Sequence, residues 1–308
     1  MNKLINKIES KTGIENIVEK LSGNLSGSEF NSLLLEIFRE RTETLNPPAV
    51  LKEFSKNRFV LPAIIDPITI KKEEIDWLET AQKYGFEPIE LSPLTQLGTV
   101  SSMALVNQQN IVSALRGTEI VSDATNVMSL IAASKITDNK EINKPDYCTT
   151  HRHVRAQTFE NPNFSAHFGL FCMISAAKDE GSFTFETEQL KRYFSFYLEV
   201  LSRKVERDKL WIKVFRDDSD KNFASRIEET ATSFSEEKSI KVEFVPMMNN
   251  YYNKLQFKFY YDYNGMEIDL ADGGYVDWMQ KLLSDKKQRL IISAGAVEMT
   301  AKLNAGII

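Results

Sequence analysis

The stretch from residue 154 to 171 constrains this chain more than any other. It opens with Val154, Arg155, Ala156 and Gln157, passes through a loop over 158–166, and resumes at His167, Phe168, Gly169, Leu170 and Phe171. Residues two apart on a strand share a face, so Arg155 and Gln157 point the same way. Asn161, Pro162 and Asn163 supply the turn chemistry that reverses a chain, and a second apolar strand is expected over 168–174. The hairpin is expected to present the Arg155 guanidinium, the His167 imidazole and the Phe171 ring to one pocket. That set suits a nucleotide, because a guanidinium grips a phosphate as a two-pronged donor and a ring covers an adenine. Taken alone, these residues are equally consistent with an ordinary amphipathic hairpin.

Size and charge bound what surrounds the hairpin. The 308 residues suffice for one large domain or two smaller ones. A hydrophobic content of 42% with 26% charged residues is that of a soluble globular protein. A formal charge of −5 gives no electrostatic footprint for nucleic acid, so no nucleic-acid partner is expected. No apolar run approaches the ~20 residues a membrane span needs, so no membrane association is expected. Residues 1–10 mix Lys3, Lys7 and Glu9 among apolar ones, unlike a signal peptide. Two cysteines, Cys148 and Cys172, make no disulfide framework, and a reducing cytoplasm is the simplest compartment.

Periodicity predicts an N-terminal helical segment over 1–65 and an α+β body over 66–308. Leu4, Ile5, Ile8, Ile17, Val18 and Leu21 have helical spacing, interrupted near Gly13. A second helix is expected to start at Ser28 as N-cap and to carry Phe30, Leu33, Leu34, Ile37 and Phe38 on one side. Pro47 and Pro48 are expected to end that unit, with a short helix over 49–59. A helix over 72–84 turns Ile75, Leu78 and Ala81 inward and closes at Gly85. After it come a strand over 86–91, a long amphipathic helix over 185–205, and strands over 210–215 and 240–245 around a helix over 222–234. Strands over 255–263 and 266–270 read as a hairpin turned by Asn264 and Gly265. A last strand over 290–293 leads to a closing helix from Ala296. The fold class expected is an antiparallel sheet flanked by helices.

Three more segments fall into order with the hairpin. Residues 84–93 run helix, glycine, strand and proline. Ala114, Leu115, Arg116, Gly117, Thr118 and Glu119 form a loop ending in a carboxylate, the acceptor that an ammonium group needs, although a surface turn has the same composition. Tyr251 and Tyr252 precede Leu255, Gln256 and Phe257, and Gly273 and Gly274 follow Asp272. Tyrosines frame a flat substrate, and paired glycines let backbone approach it closely. A buried aromatic cluster is the plainer reading of the tyrosine pair.

Together these segments resemble the class II aminoacyl-tRNA synthetase core, with histidyl-tRNA synthetase as the nearest subgroup, over about residue 72 to the C-terminus. The 154–171 segment is similar to motif 2, with Gln157 in place of a Glu and Ser175 where a distal acid is usual. Residues 84–93 look like motif 1, which implies a homodimer. The resemblance implies ATP and magnesium as cofactors and an amino-acid-like small molecule as ligand. Arg155 would hold the α-phosphate with Gln157 beside it, Phe171 would cover adenine, and His167 would assist at the phosphates. Arg116, Thr118 and Glu119 would hold the substrate amino group, while Tyr251, Tyr252, Gly273 and Gly274 would shape the side-chain pocket.

The departures from the family pattern carry equal weight. Met247, Met248 and Asn249 stand where the first histidine signature carries an Arg, and the Arg that follows the paired glycines is missing. Met299 occupies the motif 3 position of the Arg that braces the γ-phosphate, and Arg289 lies ten residues earlier. Losing such a cation costs on the order of a thousandfold in rate. No anticodon-binding domain is expected after motif 3. Ordinary tRNA charging is therefore not expected. Two readings follow: an amino-acid-binding domain with ATP-dependent acyl-adenylate formation, or a non-catalytic sensor resembling the regulatory subunit of ATP phosphoribosyltransferase. A third is an interaction scaffold that uses the first ~60 residues as a partner-binding unit. Cys148, His151, His153, His167 and Cys172 cluster in sequence, but their spacing fits no standard zinc site. Asp123 reads as the N-cap of a helix. Its helix end could also receive an anion.

Overall fold

The computed structural model describes residues 2–139, 144–157 and 165–307. The Asn161, Pro162 and Asn163 turn lies outside the described residues. Four helices come first: α1 (Asn2–Thr12), α2 (Ile17–Gly23), α3 (Gly27–Glu43) and α4 (Pro47–Phe54). Then follow α5 (Pro67–Lys83), β1 (Glu87–Pro88), β2 (Leu94–Gln96), α6 (Thr99–Met103), β3 (Thr118–Ile120) and α7 (Ala124–Asp138). The hairpin strands are β4 (Asp146–Val154) and β5 (His167–Lys178), followed by α8 (Thr184–Ser202), β6 (Leu210–Arg216), α9 (Lys221–Lys238) and β7 (Lys241–Pro246). The chain closes with β8 (Leu255–Tyr263), β9 (Met266–Tyr275), α10 (Trp278–Leu283), β10 (Gln288–Gly295) and α11 (Val297–Asn304).

Among the described residues, eight strands form one sheet in the order β1-β4-β5-β10-β9-β8-β6-β7, and β2 pairs with β3 apart from it. The pairings are antiparallel except at the two edges, where β1–β4 and β6–β7 are parallel. The architecture is thus the α+β sheet flanked by helices that the sequence led us to expect. Asn264 and Gly265 both have positive φ, 54° and 84°, as the tight β8–β9 turn requires.

Strand alternation gives the sheet two faces of different character. On the back, Phe171, Met173, Phe257, Phe259 and Ile291 join α5, α8, α9 and α11 in an aromatic-rich core. On the front, Tyr147, Cys172, Ile174 and Ile292 pack under α7 and α10.

Several local expectations need correction. Ser26 rather than Ser28 caps α3, because Glu29 sits three residues after it and completes a reciprocal capping box. Pro47 and Pro48 open α4 instead of separating it from what precedes. Their missing N–H groups fall in the first turn, where none is needed, and Asn46 caps the end. In α5, Ile75 faces solvent at 53% exposure, while Ile70, Trp77 and Ala81 are buried, so the stripe is rotated from the one expected. Among the described residues, no helix is long and apolar enough to cross a membrane.

Candidate functional site

The site is best built from Asp123, which stands on the front face where α7 begins. Its Oδ1 accepts from the Thr125 N–H at 2.9 Å and the Thr125 hydroxyl at 2.6 Å, closing the first turn of the helix. Its Oδ2 accepts from the Tyr251 hydroxyl at 2.9 Å. One carboxylate therefore joins a helix cap to the loop before β8.

His153 satisfies the neighbouring helix N–H. The Ala124 N–H donates to His153 Nε2 at 2.8 Å, and His153 Nδ1 donates to the His151 carbonyl at 3.0 Å. Accepting at Nε2 fixes the tautomer with its proton on Nδ1. Complete burial pushes the imidazole pKa down to about 3, so the ring is neutral. The anion position at the start of α7 is thus filled from within, by an imidazole and a carboxylate.

Beyond the end of β4, Arg155 lies beside this cluster. Its backbone N–H meets the Ala166 carbonyl at 2.9 Å, and its Nε donates to the Ser122 carbonyl at 3.3 Å. Its guanidinium sits 5.2 Å from the Phe168 ring centre, a cation–π distance. Phe168 in turn stacks on His153.

Tyr251 and Tyr252 join the cluster through Asp123. Their rings meet edge to face at 4.9 Å, and Tyr251 leans on Trp278 at 5.8 Å. The Asn249 Oδ1 accepts both of their backbone N–H groups. Asn249 donates to Gln256 at 2.6 Å, and Gln256 donates to Asp272 Oδ1 at 2.9 Å. Burial raises the Asp272 carboxyl pKa to about 6, against the opposing pull of Lys258, whose Nζ is 3.8 Å away. Lys258 is held more closely by Asp269, at 2.5 Å. Two carboxylates, Asp123 and Asp272, and two cations, Arg155 and Lys258, thus surround a pair of tyrosines.

The paired glycines do different work. A Cβ on Gly274 would stand 2.3 Å from the Leu255 carbonyl and 2.6 Å from Tyr252 Cδ1, so the glycine lets Tyr252 lie flat on β9. A Cβ on Gly273 would instead meet Phe257 at 2.5 Å and Ser293 at 2.6 Å, on the back face. Gly274 packs against Tyr252 on the front and Gly273 belongs to the core.

Other expected site residues are placed elsewhere. Val154 pairs with His167, so His167 and Phe171 point to the back while Arg155 follows the front. Phe171 is fully buried against Trp77 and Phe196, leaving no face for an adenine. The ring on the Arg155 side is Phe168. His167 is held by Arg152 at 2.9 Å and by the Leu61 carbonyl at 2.6 Å. Glu119 is fully buried and accepts from the Gly98 and Val100 N–H groups and from the Gln108 amide, at 2.8–3.2 Å. It therefore ties loops together and does not face open space. Thr118 donates to the Leu115 carbonyl, and Arg116 is exposed with its N–H on Asn31. Gln157 is exposed at the edge of the described hairpin.

The cysteine and histidine cluster separates only in part, for His153 stays 3.9 Å from Cys172 and packs against His151. Cys148 faces the back core and Cys172 the front one, and among the described residues no group of three His, Cys, Asp or Glu could hold a metal. Met299 packs on the back core, and Arg289 is engaged by Asp179 and Glu186.

No family model matches this chain, and neither does any curated protein. Solved structures do match. An ATP phosphoribosyltransferase regulatory subunit/histidyl-tRNA synthetase from Bacillus halodurans aligns over 80% of this chain and 82% of its own, with a TM-score of 0.58 at 13% identity. This chain has the class II aminoacyl-tRNA synthetase fold. A histidine–tRNA ligase subunit from Alicyclobacillus acidocaldarius gives a TM-score of 0.57 at 12% identity, covering 81% of this chain and 96% of that one. The apo histidyl-tRNA synthetase of S. aureus gives 0.56 at 15%, covering 80% and 70%. At such identities the likeness establishes the fold, and the residues must argue the chemistry. Of the residues expected to handle ATP and magnesium, Phe171 lies in the core and Met299 packs against the back core, while Arg155 stays on the front.

Proposed function

We propose that this chain is a binding domain of the class II synthetase fold that takes an amino acid or a similar small zwitterion and does not activate it. The observation that carries this reading is the front-face cluster of Asp123, Arg155, Tyr251, Tyr252, Gln256 and Asp272. It offers anionic and cationic groups around an aromatic wall, the combination that an ammonium, a carboxylate and a side chain call for. Such a domain serves as a sensor or regulatory unit, reporting ligand occupancy to the rest of an assembly.

A second reading, ATP-dependent acyl-adenylate formation, rests on Arg155 as the one motif 2 cation facing the front. Adenylation works by positioning and charge neutralisation, so it needs several cations at the phosphates. ATP–pyrophosphate exchange separates the two readings. The binding reading expects no exchange with any of the twenty amino acids in the presence of magnesium. Exchange above background that is lost in Arg155→Met would establish the second reading and overturn the first.

A further inference from the structure

We infer that the ligand of the front-face cluster is an amino acid with a positively charged side chain, and that Asp272 is the residue that selects it. The inference rests on the binding reading above and names the substrate class of the same site. Asp272 stands on β9 directly before the paired glycines, and Lys258 of β8 is opposite it in the register. Its Oδ1 accepts from the Gln256 amide at 2.9 Å, and the Gln256 carbonyl is in turn occupied by Asn249 at 2.6 Å. That amide is therefore a fixed, neutral donor. The Asp272 Oδ2 lies 3.8 Å from the Lys258 ammonium, beyond hydrogen-bond length, because Asp269 holds that ammonium more closely. The Asp272 side chain is 35% exposed, so a ligand can reach it.

Charge balance decides the side chain. Asp123, Asp269 and Asp272 bring three negative charges to the cluster, and Arg155 and Lys258 bring two positive ones. Lys213 and Glu267, farther along the same sheet, cancel each other at 2.8 Å. Burial lowers the pKa values of His151 and His153, so neither imidazole adds charge at neutral pH. One negative charge is left over, and it falls at the Asp269–Asp272 end, where two carboxylates share one ammonium. The ammonium and carboxylate of an amino-acid backbone bring no net charge, so only a cationic side chain balances the cluster. An anionic side chain would set a third carboxylate at that end, a like-charge penalty.

The tyrosines connect the two ends. Tyr251 donates to Asp123 Oδ2 at 2.9 Å, and its ring meets the Tyr252 ring at 4.9 Å. Burial first, and the charges of both carboxylates after it, raise the two phenol pKa values well above the ordinary one. Both rings therefore stay protonated between Asp123 and Asp272. Gly274 lets Tyr252 lie flat on β9, and an aromatic face favours an alkyl arm that ends in a cation. A ligand held at its backbone by Asp123 and Arg155 runs along the two rings and ends at Asp272 Oδ2. A guanidinium or ammonium makes a charge-assisted hydrogen bond there.

Isothermal titration calorimetry on the full chain tests this, with arginine and lysine set against their uncharged counterparts citrulline and norleucine. At pH 7 the tighter of the two cationic ligands is expected to bind at least ~10-fold better than its counterpart, the weight of a hydrogen bond to a charged group. The groups facing Asp272 are Lys258 and Gln256 from β8, Asp269 from its own strand and Tyr252 from the loop before β8, and β10 sets the uncharged Ala294 opposite it. Burial outweighs Lys258 and puts the Asp272 pKa at about 6, so lowering the pH from 7 to 5 neutralises it and is expected to weaken the cationic ligand ~10-fold. In Asp272→Asn, which keeps an acceptor for Gln256, both the preference and the pH dependence are expected to vanish. Neutral ligands that bind as tightly as cationic ones, or a folded Asp272→Asn protein that keeps the preference, would overturn the inference and leave the binding reading standing. An absence of binding by all twenty amino acids would overturn both.

Discussion

Asp123 joins the α7 cap to Tyr251 through separate oxygens, and this division of labour makes a quantitative prediction. Removing the carboxylate in Asp123→Ala loses a helix cap, about 1 kcal/mol. It also strands the Tyr251 hydroxyl in a crowded site, at about 1–3 kcal/mol. The expected total is about 2–4 kcal/mol of stability. Asp123→Asn keeps an oxygen for Thr125 and offers an amide to Tyr251, so its expected cost is below about 1.5 kcal/mol, since Asn caps as well as Asp. Tyr251→Phe removes a donor from a charged acceptor and is expected to cost about 1.5 kcal/mol. The two changes address one contact, so the Asp123→Ala/Tyr251→Phe double variant should fall short of additivity by about 1–2 kcal/mol. Urea denaturation of the four proteins measures this directly. An additive cycle, or an Asp123→Ala variant within about 0.5 kcal/mol of wild type, would show that the cap and the tyrosine are not joined and would remove the basis of the site.

Other substitutions probe the remaining assignments. Gly274→Ala places a methyl against the Leu255 carbonyl and the Tyr252 ring, and is expected to cost about 3 kcal/mol in urea unfolding because backbone cannot step aside. Phe171→Ala should cost about 3–5 kcal/mol in the same assay, as a core deletion, and should leave ligand affinity of the folded fraction unchanged. The folded Asp272 carboxyl titrates at about 6 against an ordinary 3.8. The native state therefore holds this proton more tightly than the unfolded chain, and stability through this group is greatest below pH ~4 and falls as pH rises to ~6. Asp272→Asn should flatten that part of a stability–pH curve. An unchanged slope would relocate the titration.

The fold was largely legible because its signals are local and redundant. The apolar side of α8 is plain helical periodicity, and the Asn264–Gly265 turn and the helix–glycine–strand run near Gly85 add to periodicity a residue suited to positive φ. The site was less legible because the face a side chain occupies depends on pairing register. Val154 opposite His167 sends Phe171 to the back and brings Phe168 to Arg155, and a spacing rule counted along one strand cannot supply that register. Glu119 has the residue type that an ammonium needs, but its three donors come from loops distant in sequence. Asp272 and Gln256 lay within the quoted signatures, yet only the pairing of β8 with β9 brings them together beside the tyrosines. His153 and Asp123 show the same limit in a milder form, for their types suggested a pocket and a cap while their junction needed the fold.

The most direct test of the account is a thermal-shift panel of the twenty amino acids, each with and without ATP and magnesium. A ligand at ~100 times its dissociation constant adds about 2.7 kcal/mol of stability, a readily measured shift. The account predicts that at least one amino acid raises the melting temperature alone, that ATP with magnesium adds nothing, and that Asp123→Ala or Asp272→Asn weakens the shift. A shift that appears only when ATP and magnesium are both present, or none with any amino acid, would contradict it.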